Sequence, residues 1–563
     1  MIDGDAGEEC GVVGIWARGA QIADMLTDAL FALQHRGQES AGLSVGDSSG
    51  IATHRGMGLV TEALPAAATR HLSGHVGIGH VRYSTSAESS LDNAQPFAAK
   101  TRSSTARSVM ARSIARRGSG RSGSDMAPLV AGSVSGYRSG DILVRSPNQR
   151  SRGRMTTTEL PANMAEAISR TKQELRARIG DVAGAFAGVR DRMRREVDAV
   201  ATDPAAFPVV RFRDIAEGAV PHRTLGAVRR RGCAVVRGTF APETAEAWDA
   251  ELAAYLADND FAGTYQGPAD DVFAGLASGQ PQIYPVYWSK PQIQARQHEH
   301  MVAVRRFLNS FWRHESEGRV WFDPDRDTAY PDRIRRRAPG SASLGLSAHT
   351  DSGSVERWLL PAYQRVFRHV FDGDWRAYDP WDGAYRTEVD EYPSTVMCSA
   401  FRTFQGWTAL SEMRRGDGVL HVVPIPSAIV YVLLRALQDD IPGDDLCGAV
   451  NGQALPVDDK YHDDLLPALT SIPDVEPGDT VWWHGDVVHA VADGTNPDRW
   501  GSVMYIPASP HCAKNAAYAE QCGRAFLAGK SPGDFAPEDY ERTWTGRATV
   551  DDLTAVGRDQ LGL

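Results

Sequence analysis

The chain has 563 residues, of which 42% are apolar and 23% charged; this suits a globular protein of three or four domains and excludes a wholly disordered or collagen-like chain. The formal charge of −11 argues against a protein that coats nucleic acid or an anionic membrane. Cysteines are sparse and lack a CxxC pair, so we expect no disulfide framework. The N-terminus is acidic and the longest apolar run is only Ala428–Leu434, so we expect neither a secretory signal nor a membrane span. These features predict a cytoplasmic protein.

The first 100 residues alternate between strand-like and helix-like patterns. The apolar alternation of Cys10–Trp16 predicts a strand, and the apolar residues three and four apart in Asp24–His35 predict a helix. Ala41–Val45 and His75–Tyr83 are further predicted strands. This order of elements predicts a layered α/β fragment.

Residues 101–154 have an unusual composition and are called the joint below. They contain eleven arginines and twelve serines, with no Lys, Glu, Phe or Trp. Such a segment buries too little apolar surface to offset the entropy lost on ordering, so we expect it to be disordered. Three interpretations stay open: a solvated linker, a fusion or out-of-frame translation of GC-rich DNA, and a phosphate-binding segment.

From Met155 onward the composition is that of a folded domain. Helices are predicted at Pro242–Leu256 and Gln292–Trp312, and short strands follow, for example at Thr395–Phe404, Thr480–His484 and Gly501–Ile506. Helices first and many short strands later favour a β-sandwich or barrel with helical decoration. An earlier helical stripe is formed by Met164, Ile168, Leu175 and Ile179.

A histidine, an aspartate and a later histidine have the spacing of a metal site. On a strand, His349 and Asp351 point to the same face, because side chains alternate with a period of two. His489, on a distant predicted strand, would complete two imidazoles and one carboxylate, the facial triad of non-haem Fe(II). Ten residues later, Arg499 could hold the distal carboxylate of 2-oxoglutarate in a bidentate pair. His484 stays open as an alternative ligand to His489, and Arg499 as an ordinary loop charge.

Residues 155–563 resemble a known family on several of these strings. His349–Trp358, Trp483–His489 and Met504–Pro507 are similar to a bacterial and fungal family of unknown function that itself resembles the Fe(II)/2-oxoglutarate dioxygenases. Phe404–Leu410 and Gly418–Pro424 resemble sheet segments of phytanoyl-CoA-hydroxylase-like oxygenases. The resemblance implies a double-stranded β-helix, or jelly roll, with iron bound between its sheets. It implies no substrate, because a fold does not define a function.

The front of the chain has a second resemblance, to the glutaminase domain of amidophosphoribosyltransferase. It rests on Cys10–Ile15, Ala32–Gly42, Gly79–Thr85 and Asn93–Phe97. The resemblance implies that a propeptide is removed, so that Cys10 becomes an N-terminal nucleophile whose α-amine moves the proton. It also implies that Arg82 binds the carboxylate of glutamine.

The front fragment departs from that family at the step that stabilises the tetrahedral intermediate. The His-Asn-Gly-Asn string, which supplies the oxyanion hole, should follow Phe97, but the joint begins there instead. The phosphoribosyltransferase half is also absent. We therefore expect a truncated fragment in which Cys10 is a small apolar residue without catalytic activity.

Together these patterns predict an α+β composite with three parts. A partial αββα fragment of the N-terminal-nucleophile type spans 1–100, the joint spans 101–154, and a jelly roll with helical decoration spans 155–563. The expected function is that of an Fe(II)- and 2-oxoglutarate-dependent dioxygenase, an oxidoreductase that hydroxylates a small molecule. Glutamine amidotransferase activity at Cys10 and a non-catalytic jelly-roll binding module are the alternatives. Neither a membrane nor nucleic acid is expected as a partner, and the substrate and oligomeric state stay open.

Overall fold

A computed structural model describes residues 11–16, 22–34, 38–47, 50–82, 91, 94, 96–99, 110–112, 160–265, 282–343, 345–394, 398–495 and 498–563. The chain divides into two compact units, Met1–Leu143 and Val144–Leu563. Within the described ranges, no helix is both long enough and apolar enough to cross a bilayer.

The first unit is built on a four-stranded antiparallel sheet of order β1-β4-β2-β3. Helix α1 packs on this sheet, and its buried Leu26 and Leu30 join Leu43 and Val81 in one apolar core. Of the joint, the structure describes only Met110–Arg112. The disorder predicted for the rest of the joint concerns residues that lie outside the described ranges. The elements are β1 Gly11–Trp16, α1 Ala23–Ala32, β2 Ser40–Asp47, β3 Gly50–Met57, α2 Val60–Ala63, α3 Ala66–Thr69, β4 Val76–Arg82, and the paired strands β5 Phe97–Ala99 and β6 Met110–Arg112.

Helices dominate the beginning of the second unit, as the sequence predicts. The predicted helix at Gln292–Trp312 is two helices, because His298 has an extended backbone and its Nδ1 accepts a hydrogen bond from the amide of His300, 3.1 Å away. The α-helices are α4 Met164–Ile179, α5 Val182–Ala201, α6 Phe212–Ala216, α7 His222–Arg231, α8 Pro242–Asp258, α9 Phe261–Thr264, α10 Lys290–Gln297, α11 Glu299–Asn309, α12 Glu356–Leu359, α13 Pro361–Val366, α14 Arg368–Phe371, α15 Ala428–Arg435, α16 Asp459–His462, α17 Ala513–Ala528 and α18 Ala555–Gln560. Short 3-10 helices lie at Trp375–Ala377, Arg386–Glu388, Leu466–Ala468, Tyr540–Arg542 and Val550–Asp552.

The later part of the second unit supplies most of its strands. Residues 395–397 lie outside the described ranges, and the strand predicted at Thr395–Phe404 begins only at Phe404, where pairing with β20 starts. The strands are β7 Val209–Arg211, β8 Cys233–Arg237, β9 Ile283–Tyr284, β10 Glu315–Ser316, β11 Arg319–Val320, β12 Asp323–Asp327, β13 Ile334–Arg337, β14 Ala342–Ser343, β15 Leu346–Thr350, β16 Phe404–Ala409, β17 Leu420–Val422, β18 Leu455–Pro456, β19 Thr470–Ser471, β20 Thr480–His484, β21 His489–Val491, β22 Gly494–Thr495, β23 Gly501–Tyr505 and β24 Pro510–His511.

Two larger sheets organise these strands. One has the order β7-β8-β20-β16-β23-β13-β9 and the other β18-β15-β21-β17-β19. All pairings in the two sheets are antiparallel except that of β7 with β8. Neighbouring strands such as β15 and β21 are far apart in the sequence, so long connections place them side by side. The second unit is thus a mixed α and β structure with two antiparallel-rich sheets.

The apolar run Ala428–Leu434 forms most of helix α15, and every one of its residues is buried. A helix that is apolar on all sides is stable only when neighbours cover it completely. Helix α5 packs along it, and the wholly buried Trp358 donates its indole N–H to the carbonyl of Leu433, 3.1 Å away. This buried helix anchors the segment that follows His349 and Asp351 in the chain.

Candidate metal centre

Two histidines and one aspartate of the second unit come together at the end of β15. The Nε2 atom of His349 lies 3.2 Å from Oδ1 of Asp351, and Nε2 of His489 lies 3.6 Å from Oδ2 of the same carboxylate. One ligand atom from each residue lies within 4.8 Å of the other two. Two imidazole nitrogens and one carboxylate oxygen at this separation form the donor set of a 2-His-1-carboxylate metal site.

Strand pairing explains how distant residues meet here. His349 on β15 lies directly opposite His489 on β21 in the antiparallel register, and their ring centroids are 4.3 Å apart. Asp351 lies one residue beyond the end of β15, and its Oδ1 is 3.2 Å from Nε2 of His349, so the two side chains are on the same side as the strand period predicted. The local spacing and one cross-strand pair therefore assemble the three groups.

Hydrogen bonds orient both imidazoles. Nδ1 of His349 donates to the carbonyl of Ser347 at 2.6 Å, and Nδ1 of His489 donates to the carbonyl of Val487 at 3.2 Å. A carbonyl oxygen only accepts, so each Nδ1 carries a proton and each Nε2 is directed at the carboxylate, where a bound metal ion would replace any proton that it holds. The tautomer that a metal ion requires at Nε2 is thus built into both rings.

Burial and charge set the protonation of the three groups. Burial would raise the pKa of Asp351, but the charges and hydrogen bonds of His489 and His349 hold it well below its ordinary value. Burial, aided by the charge of His349, lowers the pKa of His489. Burial also opposes the charged form of His349, yet its hydrogen bond to Asp351 raises that pKa. The site therefore presents an ionised carboxylate to two imidazoles.

A buried ion-pair network braces both segments that carry the ligands. The guanidinium of Arg357 donates to Asp486 Oδ1 at 3.0 Å and to the hydroxyl of Thr350 at 3.3 Å. Arg386 donates to the other oxygen of Asp486 at 2.6 Å. Thr350 lies between two of the candidate ligands and Asp486 lies three residues before His489, so the network joins the two segments. Nothing in local spacing distinguishes Arg357 or Asp486 from surface charges, and sequence reasoning missed both.

The three groups open onto a cavity of about 190 Å³ whose walls come from both large sheets. Residues of β16 and β23 line it, among them Gln405, Trp407, Val503 and Tyr505. On the opposite sheet the wall continues through residues of β15, β17 and β21 beside the candidate ligands. A concave space beside three possible metal ligands is typical of a site for a small molecule.

The wall of this cavity is rich in arginine. Arg335 and Arg337, two residues apart on β13, both face it, whereas the intervening Arg336 faces away and pairs with Asp249. Burial, and then the neighbouring charge of Arg335, lower the pKa of Arg337 to about 10. In the described ranges no carboxylate forms an ion pair with either cavity-facing side chain. The alternation in Arg333-Ile334-Arg335-Arg336-Arg337 could have indicated this cationic face, but sequence reasoning did not use it.

The other sequence-predicted residues of the second unit lie elsewhere. Arg499 pairs with Asp417 at 3.1 Å and with Asp498 at 3.0 Å, and it is not part of the described cavity wall. His484 stacks on Trp312 with ring centroids 4.5 Å apart, and its Nε2 donates to the carbonyl of Pro380 at 3.0 Å. Burial lowers the pKa of His484 to about 4, so it is a neutral core residue. The structure thus groups His489, and not His484, with the other candidate ligands.

The first unit contains the residues linked to glutamine chemistry. Cys10 lies outside the described residues, and Arg82 is buried at the end of β4, opposite Ser40 in the register with β2. This part of the chain is 51% identical over 92 residues to the amidophosphoribosyltransferase of Methanothermobacter thermautotrophicus. The match covers 16% of this chain and 19% of that enzyme, so the chain spans about a fifth of that relative.

The second unit matches proteins over nearly their whole length. It is 52% identical over 414 residues to the Escherichia coli K12 protein YbiU, covering 72% of this chain and 98% of that protein. The crystal structure of the Candida albicans protein GlcNAc Inducible Gene 2 superposes with a TM-score of 0.61 at 28% identity, covering 72% of this chain and 90% of that one. The Gig2-like family model matches residues 162–563. Because this match covers well over half of the sequence, the chain belongs to the Gig2-like family.

Proposed function

We propose that the second unit is an Fe(II)- and 2-oxoglutarate-dependent oxygenase that hydroxylates a small molecule. The observation that carries the proposal is the convergence of His349, Asp351 and His489 at the wall of a cavity lined by both large sheets. Such a triad leaves coordination positions open for a co-substrate and O₂, which a closed structural site does not.

The strand order supports a jelly roll as the scaffold. His349 and His489 lie on neighbouring strands of the five-stranded sheet, Asp351 directly follows β15, and the seven-stranded sheet supplies the facing wall of the cavity. Two antiparallel sheets joined by long connections are the arrangement expected of a double-stranded β-helix. In this proposal the metal ion lies between the sheets, where water access is restricted.

The residues present fit Fe(II). The Nδ1 atoms already donate to carbonyls, so Nε2 is the atom of each ring that is left to bind iron, and Asp351 is ionised. When bound, iron and 2-oxoglutarate supply the oxidation, in which one oxygen atom of O₂ enters the substrate while 2-oxoglutarate becomes succinate and CO₂. This chain contributes three ligands held in orientation by hydrogen bonds, a cavity beside them, and cations that position carboxylates.

We place the distal carboxylate of 2-oxoglutarate at the end of the cavity where Arg337 meets Gly501 in the β13–β23 register. Arg337 donates to the carbonyls of Gly494 and Asp417, which hold its guanidinium in place without neutralising it. Arg499 is tied to the carboxylate of the same Asp417. In this arrangement Arg337 contacts the co-substrate, and Arg499 positions Asp417, whose backbone carbonyl holds Arg337.

The experiment that tests the metal site is anaerobic titration with Fe(II) and 2-oxoglutarate, read from the weak absorption band between metal and keto acid. Wild type should develop the band, and His349→Ala and His489→Ala should abolish it, because each removes a ligand. His421→Ala is a matched control: His421 lies on β17 in the same sheet, opposite Ala490, and is not part of the described cavity wall. A band that survives loss of both candidate ligands would show the assignment to be wrong.

The same titration tests the position of the co-substrate. Arg337→Met should leave iron binding intact and weaken 2-oxoglutarate about tenfold or more, since one charge-assisted hydrogen bond contributes about 1.5–3 kcal/mol. Arg499→Met should have a smaller effect, because Arg499 acts through Asp417. A larger effect at Arg499 would instead make that arginine the direct partner.

A further inference from the structure

Three side chains in the cavity wall have nitrogen donors without a hydrogen-bond partner within the described part of the chain. The amide nitrogen of Gln405 and the indole nitrogen of Trp483 are both buried without a partner, and each residue is only 4% exposed. Arg402 forms neither a hydrogen bond nor an ion pair there, and its guanidinium lies over the ring of Tyr330, 5.4 Å from the centroid. Buried donors without partners are rare and costly in folded proteins, so the donors of Gln405 and Trp483 need an explanation, and the half-buried Arg402 adds a positive charge beside them.

The three donors lie together beside the candidate metal centre. Gln405 and Trp483 are directly opposite each other in the β16–β20 register, and Arg402 precedes Gln405 by three residues. The ring of Trp483 lies 5.2 Å, between centroids, from that of His489. Arg402 shares the cavity wall with Asp351. The donors therefore surround space that is adjacent to the three candidate ligands.

The chemistry of these groups selects the ligand. A guanidinium and an indole N–H can only donate, so the group they bind must offer several acceptor oxygens. The cavity wall holds four arginines against two aspartates. The charges of a divalent metal ion and of doubly charged 2-oxoglutarate would cancel, so the wall keeps its excess of positive charge. A second anion is therefore favoured in the cavity.

We propose that Arg402, Gln405 and Trp483 form a binding subsite for a carboxylate or phosphate group on the molecule that is oxidised. The assignment of this anion to the oxidised substrate rests on the proposed function. The substrate class that follows is a small anionic molecule, held by its acidic group so that another part of it faces the metal.

The subsite is separate from the end assigned to 2-oxoglutarate. Arg402 contacts Tyr330, whose ring is 5.9 Å from that of Phe535, and Phe535 in turn lies 4.9 Å below the guanidinium of Arg333. Arg333 and Arg337 are separated along the extended chain by about 13 Å. The carboxyl carbons of 2-oxoglutarate are only about 5 Å apart. The two ends are therefore lined by different arginines, and the titration described below separates them.

The test is calorimetric titration of the full chain with inorganic phosphate and, separately, with acetate. Wild type should bind at least one of these probes, and the tighter one indicates the acidic group of the substrate. Arg402→Gln should weaken that probe at least tenfold, because it removes a charge-assisted donor. Trp483→Phe, which keeps an aromatic ring and removes only the N–H, is a second variant in case the first does not fold. Arg195→Gln, which makes the same charge change at an exposed position of α5, is the matched control and should change nothing.

Titration of 2-oxoglutarate in the presence of Fe(II) separates the two anion sites. Arg402→Gln should change its affinity less than about threefold. A tenfold loss of 2-oxoglutarate affinity would assign Arg402 to the co-substrate and overturn the inference. It would also be overturned if neither probe binds wild type, or if both variants bind as wild type does. Failure of the proposed oxygenase function would be seen in another experiment, as absence of the metal-to-keto-acid band. The phosphate and acetate titrations need no iron, so they test the subsite independently.

Discussion

We expect Asp486→Asn to destabilise the second unit strongly although Asp486 touches none of the candidate ligands. The carboxylate is completely buried and accepts hydrogen bonds from Arg357 at 3.0 Å, Arg386 at 2.6 Å and the hydroxyl of Tyr378 at 3.2 Å. The substitution keeps the volume of the side chain and removes its charge. Two buried guanidinium groups then lack their counter-ion.

The size of the effect follows from the burial of the network. Removing one partner of a buried ion pair costs about 3–5 kcal/mol, because the remaining charge is left in a medium of low dielectric constant. Unfolding entropy is about 2.1 cal/mol/K per residue. For a unit of roughly 420 residues this gives about 0.9 kcal/mol/K, so the melting temperature should fall by about 3–6 °C.

The stability that Asp486 contributes should decrease at low pH. Burial would raise the pKa of Asp486, but the charges of Arg386 and Arg357 outweigh it and hold that pKa below its ordinary value. A lowered carboxylate pKa stabilises the folded state above about pH 4 and loses that contribution as the pH falls further. Asn does not titrate, so the difference in melting temperature between wild type and Asp486→Asn should shrink below about pH 4.

Tryptophan fluorescence during thermal unfolding is a suitable assay, because twelve of the thirteen tryptophans follow residue 155. Asp439→Asn makes the same chemical change in an ion pair with Arg176 whose carboxylate is 87% exposed, and it should shift the melting temperature by no more than about 1 °C. If Asp486→Asn melted within 1 °C of wild type at neutral pH, the network would not have the structural role argued from its burial.

Three further outcomes are expected. Trypsin should cut first between Arg102 and Arg154, where eleven arginines lie in a sequence too polar to fold, and leave a stable C-terminal fragment on mass spectrometry; a resistant joint would contradict this. Glutamine-dependent ammonia release should be absent from the full chain and unchanged in Cys10→Ala, because the missing oxyanion-hole string would supply about 3 kcal/mol; release that disappears in the variant would refute the expectation. Burial raises the pKa of Glu541 from its ordinary 4.5 to about 7, so the folded state keeps a proton that the unfolded chain releases, and stability should fall as the pH rises between these values. Relative to Glu541→Gln, the melting temperature of wild type should drop by about 4 °C over that interval, and a constant difference would be evidence against the shift.

Local patterns predicted much of the element order. Period-two alternation predicted β1, and the strand predicted at Thr480–His484 has the same bounds as β20. The helix predicted at Gln292–Trp312 was interrupted, because the backbone at His298 adopts an extended conformation that apolar spacing does not report. Sheet order could not be predicted from one sequence, since strands such as β15 and β21 pair across a long stretch of intervening chain.

The sequence by itself determined that His349 and Asp351 share a face, because a strand's alternation is local and independent of the rest of the fold. The sequence also showed the segments that resemble known families, and the difference in composition between the joint and the residues that follow it. Tertiary structure decided that His489 lies opposite His349, that Arg499 pairs with Asp417, and that Arg402 lines the cavity without a partner among the described residues. The physical reason is that the burial and partners of a polar side chain depend on segments brought together by packing, and their positions along the chain do not specify them.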